Sequence, residues 1–117
     1  MSELGERLIG IVQRLAAEHS RFVYQREEGK YTCSYVHSDG SGGCLIGQAL
    51  LEAGVIDSSF SASWNNSSAF IDVARRLGLG LDDDEVQWLS TVQGWQDQGA
   101  AWGKAVPAPA PVLAGVF

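Results

Sequence analysis

Cys44 stands behind the run His37-Ser38-Asp39-Gly40-Ser41-Gly42-Gly43 and ahead of the apolar pattern Leu45-Ile46-Gly47-Gln48-Ala49-Leu50. A thiol at the first turn of a helix faces unpaired backbone N–H groups and the positive end of the helix dipole, which stabilise a thiolate. Gly42 and Gly43 would let a substrate approach the backbone, and the N–H groups near Gly43 and Cys44 could form an oxyanion hole. His37 is then the candidate general base and Asp39 its orienting partner, the constellation of a small cysteine-dependent hydrolase or acyl transferase. Three observations weigh against it. The chain has two histidines, and the other, His19, sits near a helix C-terminus, where a favourable dipole interaction explains it. The flanks of Cys44 match no local signature of the cysteine proteases. Leu45 and Ile46 follow it directly, as they would follow a buried packing thiol. The preferred reading assigns no catalytic residue, and the cysteine enzyme is the runner-up.

Cys33, His37, Cys44 and His19 form a notional two-cysteine, two-histidine metal set. Cys33, Tyr35 and His37 would alternate onto one strand face, yet Cys-x3-His-x6-Cys is no zinc-finger or ribbon spacing and no Cys-x-x-Cys pair exists. Zinc is therefore a third reading, behind no metal and no cofactor. The glycine run lacks the lysine of a phosphate loop. Asp82-Asp83-Asp84-Glu85 lacks the calcium-loop spacing and reads as the acidic opening of a helix.

Aromatic spacing supplies a different kind of candidate. Leu81, Glu85, Trp88, Val92, Trp95, Gly99, Trp102 and Val106 alternate four and three apart, the stripe of one helix face over 88–95. Such stripes are mostly core. Tryptophan is also the residue most enriched at binding hot spots, and the helices already hold ample aliphatic residues for a small core. Trp88, Trp95 and Trp102, with the loop Ser38, Asp39, Gly40, Ser41, Gly42 and Gly43, are accordingly the candidate protein-binding face.

These residues need elements to hold them. Ser2 caps a first helix over about 3–19, with apolar residues at Leu4, Leu8, Ile11, Val12, Leu15 and Ala16. Phe22–Arg26 and Tyr31–Val36, rich in aromatic and β-branched residues and joined by Glu27-Glu28-Gly29-Lys30, predict a β-hairpin. A second helix spans Cys44–Ala53 and stops at Gly54. Residues 57–66 read as a loop anchored by Phe60 and Trp64. A third helix covers about 67–77, capped by Ser67 or Ser68 and closed by Gly78. A fourth opens at Asp82–Glu85 and ends at Gly99. A short turn around Trp102 precedes Pro107-Ala108-Pro109-Ala110-Pro111, which favours polyproline II, and an apolar tail to Phe117. The expected fold is α+β: about four helices packed with a small antiparallel hairpin, in one globular domain over 1–106 followed by a tail over 107–117.

The 117 residues suffice for one core, and 45% hydrophobic with 19% charged residues is a globular balance. Net charge is −6 with eight Lys and Arg, so no basic stripe is present to bind nucleic acid or an anionic membrane. An acidic chain suits a basic partner or an uncharged one. Two cysteines make no disulfide scaffold. No secretory signal or membrane span is apparent, which reads as cytoplasmic.

Tyr35-Val36-His37, Gly43-Cys44-Leu45-Ile46-Gly47-Gln48-Ala49-Leu50, Trp88-Leu89, Val92-Gln93, Gln96-Asp97, Gly99, Trp102-Gly103 and Ala105-Val106 together resemble a group of small proteins encoded by actinobacteria and by phages that infect them. The resemblance covers residues 31–106. It implies a cytoplasmic protein of phage or host origin and carries no activity and no catalytic residue to transfer. A phage-encoded member would be an accessory protein acting on a host factor. The expected function is thus non-catalytic protein binding, with a homodimer as an allowed assembly.

Overall fold

A computed structural model describes residues 2–25 and 34–106, Trp64 by its backbone alone. Its elements are α1 (Glu3–Glu18), α2 (Leu45–Glu52), two 3-10 helices (Ser58–Ala62 and Trp64–Ser67), α3 (Phe70–Arg76), α4 (Asp83–Asp97) and α5 (Trp102–Ala105).

Local signals set most of the helix ends. Ser2 caps α1, its hydroxyl accepting from the Gly5 N–H at 2.9 Å. Asp82 and Glu85 form a reciprocal capping box at the start of α4. At the end of α3, Gly78 takes φ +63°. Its N–H donates to the Arg75 carbonyl, and the Leu79 N–H reaches back to Ala74. Gly54 closes α2 and Gly99 closes α4 with the same pair of bonds. Around Trp102 the expected turn is the short helix α5.

The third helix departs from expectation. Ser67 and Ser68 do not cap it; residues 64–67 form a 3-10 turn, and α3 starts at Phe70 with no side-chain cap from Ala69. The Phe70 N–H donates instead to Gln93 Oε1 on α4, at 3.1 Å. Phe60 is buried as expected, within the other 3-10 helix.

The expected hairpin is overturned, and with it the α+β class. Residues 26–33, which hold the end of the first expected strand, the turn and half of the second, lie outside the described residues. Among the described residues there is no strand, only a single antiparallel bridge between Val36 and Gly42. The reason is where the backbone hydrogen bonds of 34–36 go. The Ser34 and Tyr35 carbonyls accept from the N–H groups of Cys44 and Gly43. The Tyr35 N–H donates to the Asn66 carbonyl, and the Val36 N–H to Asn66 Oδ1 at 2.9 Å. Asn66 Nδ2 returns a bond to the Val36 carbonyl at 2.8 Å. The Phe22 carbonyl accepts from Trp102 at the start of α5. Tyr35 and Val36 are buried, and Phe22 packs on Trp102.

The core lies around α2, whose Leu45, Ile46, Ala49 and Leu50 are all buried, so the helix is covered on nearly every side. α1 contributes Leu8, Ile9, Val12 and Leu15, and α4 contributes Trp88, Leu89 and Val92. Arg14 joins α1 to α2 through an exposed pair with Glu52, and also bonds Glu18. No helix of the described residues is long and apolar enough to cross a membrane.

Candidate functional site

The loop and helix start around Cys44 are filled by the chain itself. Cys44 is the N-cap of α2 and 1% exposed, and its Sγ accepts from the Gly47 N–H at 3.4 Å. The N–H groups that could have formed an oxyanion hole already have acceptors. Gly43 donates to the Tyr35 carbonyl and Cys44 to the Ser34 carbonyl, each at 2.9 Å. The Leu45 N–H donates to Gln96 Oε1 at 2.8 Å. The glycines make room for this backbone rather than for a substrate. A Cβ at Gly43 would overlap the Ser34 carbonyl oxygen, and one at Gly47 the Tyr35 carbonyl oxygen.

The would-be base and its orienter face elsewhere. His37 Nε2 lies 3.1 Å from the Tyr24 hydroxyl, and that hydroxyl accepts from the Ser34 N–H at 3.0 Å. Asp39 is exposed and turned onto Ser41, accepting from its N–H at 2.9 Å and its hydroxyl at 2.6 Å. The Ser41 hydroxyl and then its N–H hold the Asp39 carboxyl below the ordinary aspartate range. Cys44, His37 and Asp39 are near one another in sequence, but their polar atoms are engaged with Gly47, Tyr24 and Ser41.

The notional metal set fares similarly. Cys33 lies outside the described residues, and the His19 ring sits edge-on to Trp102, centroids 6.2 Å apart. Among the described residues no group of three His, Cys, Asp or Glu side chains is placed to hold a metal ion.

The tryptophan stripe divides. Trp88 and Trp102 are 6% and 1% exposed and belong to the core, so neither presents a docking surface; Trp95 is 54% exposed. Trp102 is fixed by Phe22, with ring centroids 4.6 Å apart, and by its backbone N–H, which donates to the Phe22 carbonyl. Trp95 stands in the last turn of α4, at the edge of the buried face formed by Glu85, Trp88, Leu89, Val92 and Gln96. Of the loop, Ser38, Asp39 and Ser41 are exposed, Gly40 and Gly42 half-buried and Gly43 buried.

A surface the residue pattern did not single out is the groove between α3 and α4. It encloses about 650 Å³ and is lined by Ile71 and Ala74 from α3, Leu81 from the connection, and Asp83, Val86 and Ser90 from α4, among others. Ile71 is 56% exposed at its lip. The volume falls in the usual range of ligand pockets, about 300–1,000 Å³. The signal in the sequence is the alternation Leu77-Gly78-Leu79-Gly80-Leu81. Gly78 and Gly80, both at positive φ, turn the chain between the helices, and both line the groove. At 100° per residue Trp95 points about 140° away from Ser90, so the groove and Trp95 are separate surfaces.

No protein-family model matches the chain, and neither a curated protein nor a solved structure does.

Proposed function

We propose that the chain is a non-catalytic protein-binding protein that works through an apolar surface. The observation that carries this reading is the α3–α4 groove, whose lining includes Ile71, Ala74, Leu81 and Val86 and whose lip leaves Ile71 more than half exposed. Exposed apolar area gathered in a concavity is characteristic of recognition sites. Trp95 adds a second exposed anchor of the type enriched at hot spots. The rival cysteine chemistry is disfavoured by the same geometry that builds the corner, since its thiol is buried and its N–H donors already bond Ser34, Tyr35 and Gln96. The resemblance to actinobacterial and phage proteins adds an accessory role, directed at a host factor where the protein is phage-encoded.

The test places a photo-crosslinking residue at Ile71, at Trp95 or at the exposed control Gln13, in cells that naturally contain the protein. A discrete covalent protein adduct from Ile71 or Trp95, absent from Gln13, is expected. No adduct at either site, or equal smearing at all three, overturns the reading.

A further inference from the structure

The charges around the groove narrow what enters it. Of the two charged side chains that line it, Arg75 is already neutralised: its Nη2 lies 2.7 Å from Asp72 Oδ1, one turn away on α3. Asp83 makes no ion pair among the described residues. It stands at the first turn of α4, between the exposed Asp82 and Asp84. The groove therefore combines an apolar floor of Ala74, Leu81 and Val86 with a local excess of negative charge at one mouth, on a chain of net charge −6. An acidic peptide would meet like charge there, and a basic one would be steered toward it.

The walls also restrict backbone geometry. Both are helices, whose inner N–H and carbonyl groups are bonded within the helix. Among the described residues the groove offers no open strand edge for an added strand, and its lining holds no aromatic residue to grip a proline-rich segment, which favours the mode in which a helix lays one apolar stripe into a groove.

We propose that the α3–α4 groove receives an amphipathic basic helix of a partner protein, its apolar stripe on Ile71, Ala74, Leu81 and Val86 and a lysine or arginine beside Asp83. This rests on the protein-binding function proposed above and names the chemistry of the partner at that surface.

The experiment is an amide NMR titration of the full chain with two synthetic helical peptides about four turns long, one of leucine and lysine, the other with glutamate for lysine. The leucine–lysine peptide should shift Ile71, Ala74, Gly78, Gly80 and Val86. Its affinity should fall in high salt, and the glutamate peptide should bind more weakly. Asp83→Asn should weaken the leucine–lysine peptide by roughly two- to fivefold, the scale of one exposed ion pair. Ile71→Glu, at a position already exposed, should abolish the shifts while leaving the remaining spectrum folded. Equal binding of both peptides overturns the basic partner. Shifts around Trp95 or residues 38–43 instead overturn the groove but leave the binding function standing. Groove signals that move with protein concentration alone assign the surface to a second copy and overturn the proposal. No response to either peptide also overturns it, and the crosslinking result then decides the broader function separately.

Discussion

Gly5 on α1 lies against the carboxylate of Glu85 on α4 so closely that a Cβ at position 5 would fall on the carboxyl group itself. Glu85 is fully buried, and its two oxygens accept from the Ser2 N–H at 3.0 Å, the Ser2 hydroxyl at 2.8 Å and the Asp82 N–H at 2.9 Å. One carboxylate thus joins the N-terminal caps of two helices, with the positive ends of both dipoles turned toward it. Gly5→Ala should destabilise the protein by about 1–3 kcal/mol through overpacking, despite the better helix propensity of alanine. Gly10, on the same helix, has nothing within 4 Å of its would-be Cβ, so Gly10→Ala should stabilise by about 0.5–1 kcal/mol. Urea unfolding of the two variants checks the opposite signs; matching signs would remove Gly5 as a close-approach site.

Glu85 is one of three α4 side chains that accept the first N–H groups of other helices. Gln93 Oε1 takes the Phe70 N–H of α3, and Gln96 Oε1 takes the buried Leu45 N–H of α2. Replacing Gln96 by Met keeps the bulk and leaves the Leu45 donor buried without an acceptor. The expected loss is about 1–3 kcal/mol, the desolvation penalty of an unpaired polar group. The exposed Gln98 makes the control, and Gln98→Met should change stability by less than about 0.5 kcal/mol. Thermal unfolding of both variants measures the difference.

How far this was legible in the sequence depends on how far apart the partners stand. Ser2, Asp82 with Glu85, Gly54, Gly78 and Gly99 act on backbone within a turn of themselves, and their roles follow from residue type and spacing. The same Glu85 also bonds Ser2, 83 positions away, and nothing local announces that. Segment 34–36 reads as strand in the sequence because Tyr35 and Val36 are the residue types of a pleated surface. Their N–H partner, Asn66, arrives from a 3-10 turn whose position pattern analysis cannot place. The groove is hidden in the sequence for a related reason: Ile71 and Leu81 have the residue types of core positions, and only the packing leaves one lip open. In the Cys44 corner the residue types fit a substrate loop and a capped corner alike, and what separates the two is long-range: Gly43 and Gly47 admit the chain's own Ser34 and Tyr35.

Tyr35 extends this buried network. Its hydroxyl donates to the Ser68 carbonyl at 2.7 Å and accepts from Gln93 Nε2 at 2.7 Å, and Gln93 in turn holds the start of α3. Tyr35→Phe should cost about 1–3 kcal/mol by orphaning both neighbours. Gln93→Leu should cost a similar amount, and the double variant less than the sum, because the two side chains share one network. Simple additivity in a double-mutant cycle would show that they act independently.

The tryptophans separate by accessibility. In a Trp64→Phe background, acrylamide should quench one population efficiently, and Trp95→Phe should remove that population, leaving blue-shifted emission from Trp88 and Trp102. The assignment rests on 54% exposure against 6% and 1%. Efficient quenching that persists after Trp95→Phe would place one of the other two at the surface.

Cys44 supplies the last measurement, taken in a Cys33→Ser background so that one thiol is read. With Sγ buried and accepting from the Gly47 N–H, modification by iodoacetamide requires the start of α2 to open. Labelling should be far slower than for the same chain in denaturant, and its rate should rise with urea in step with unfolding. His37→Ala should leave that rate unchanged apart from any effect on stability, because the His37 ring pairs with Tyr24. A native-state thiol that labels rapidly near neutral pH, and slows when His37 is removed, would restore the cysteine nucleophile and remove the non-catalytic reading.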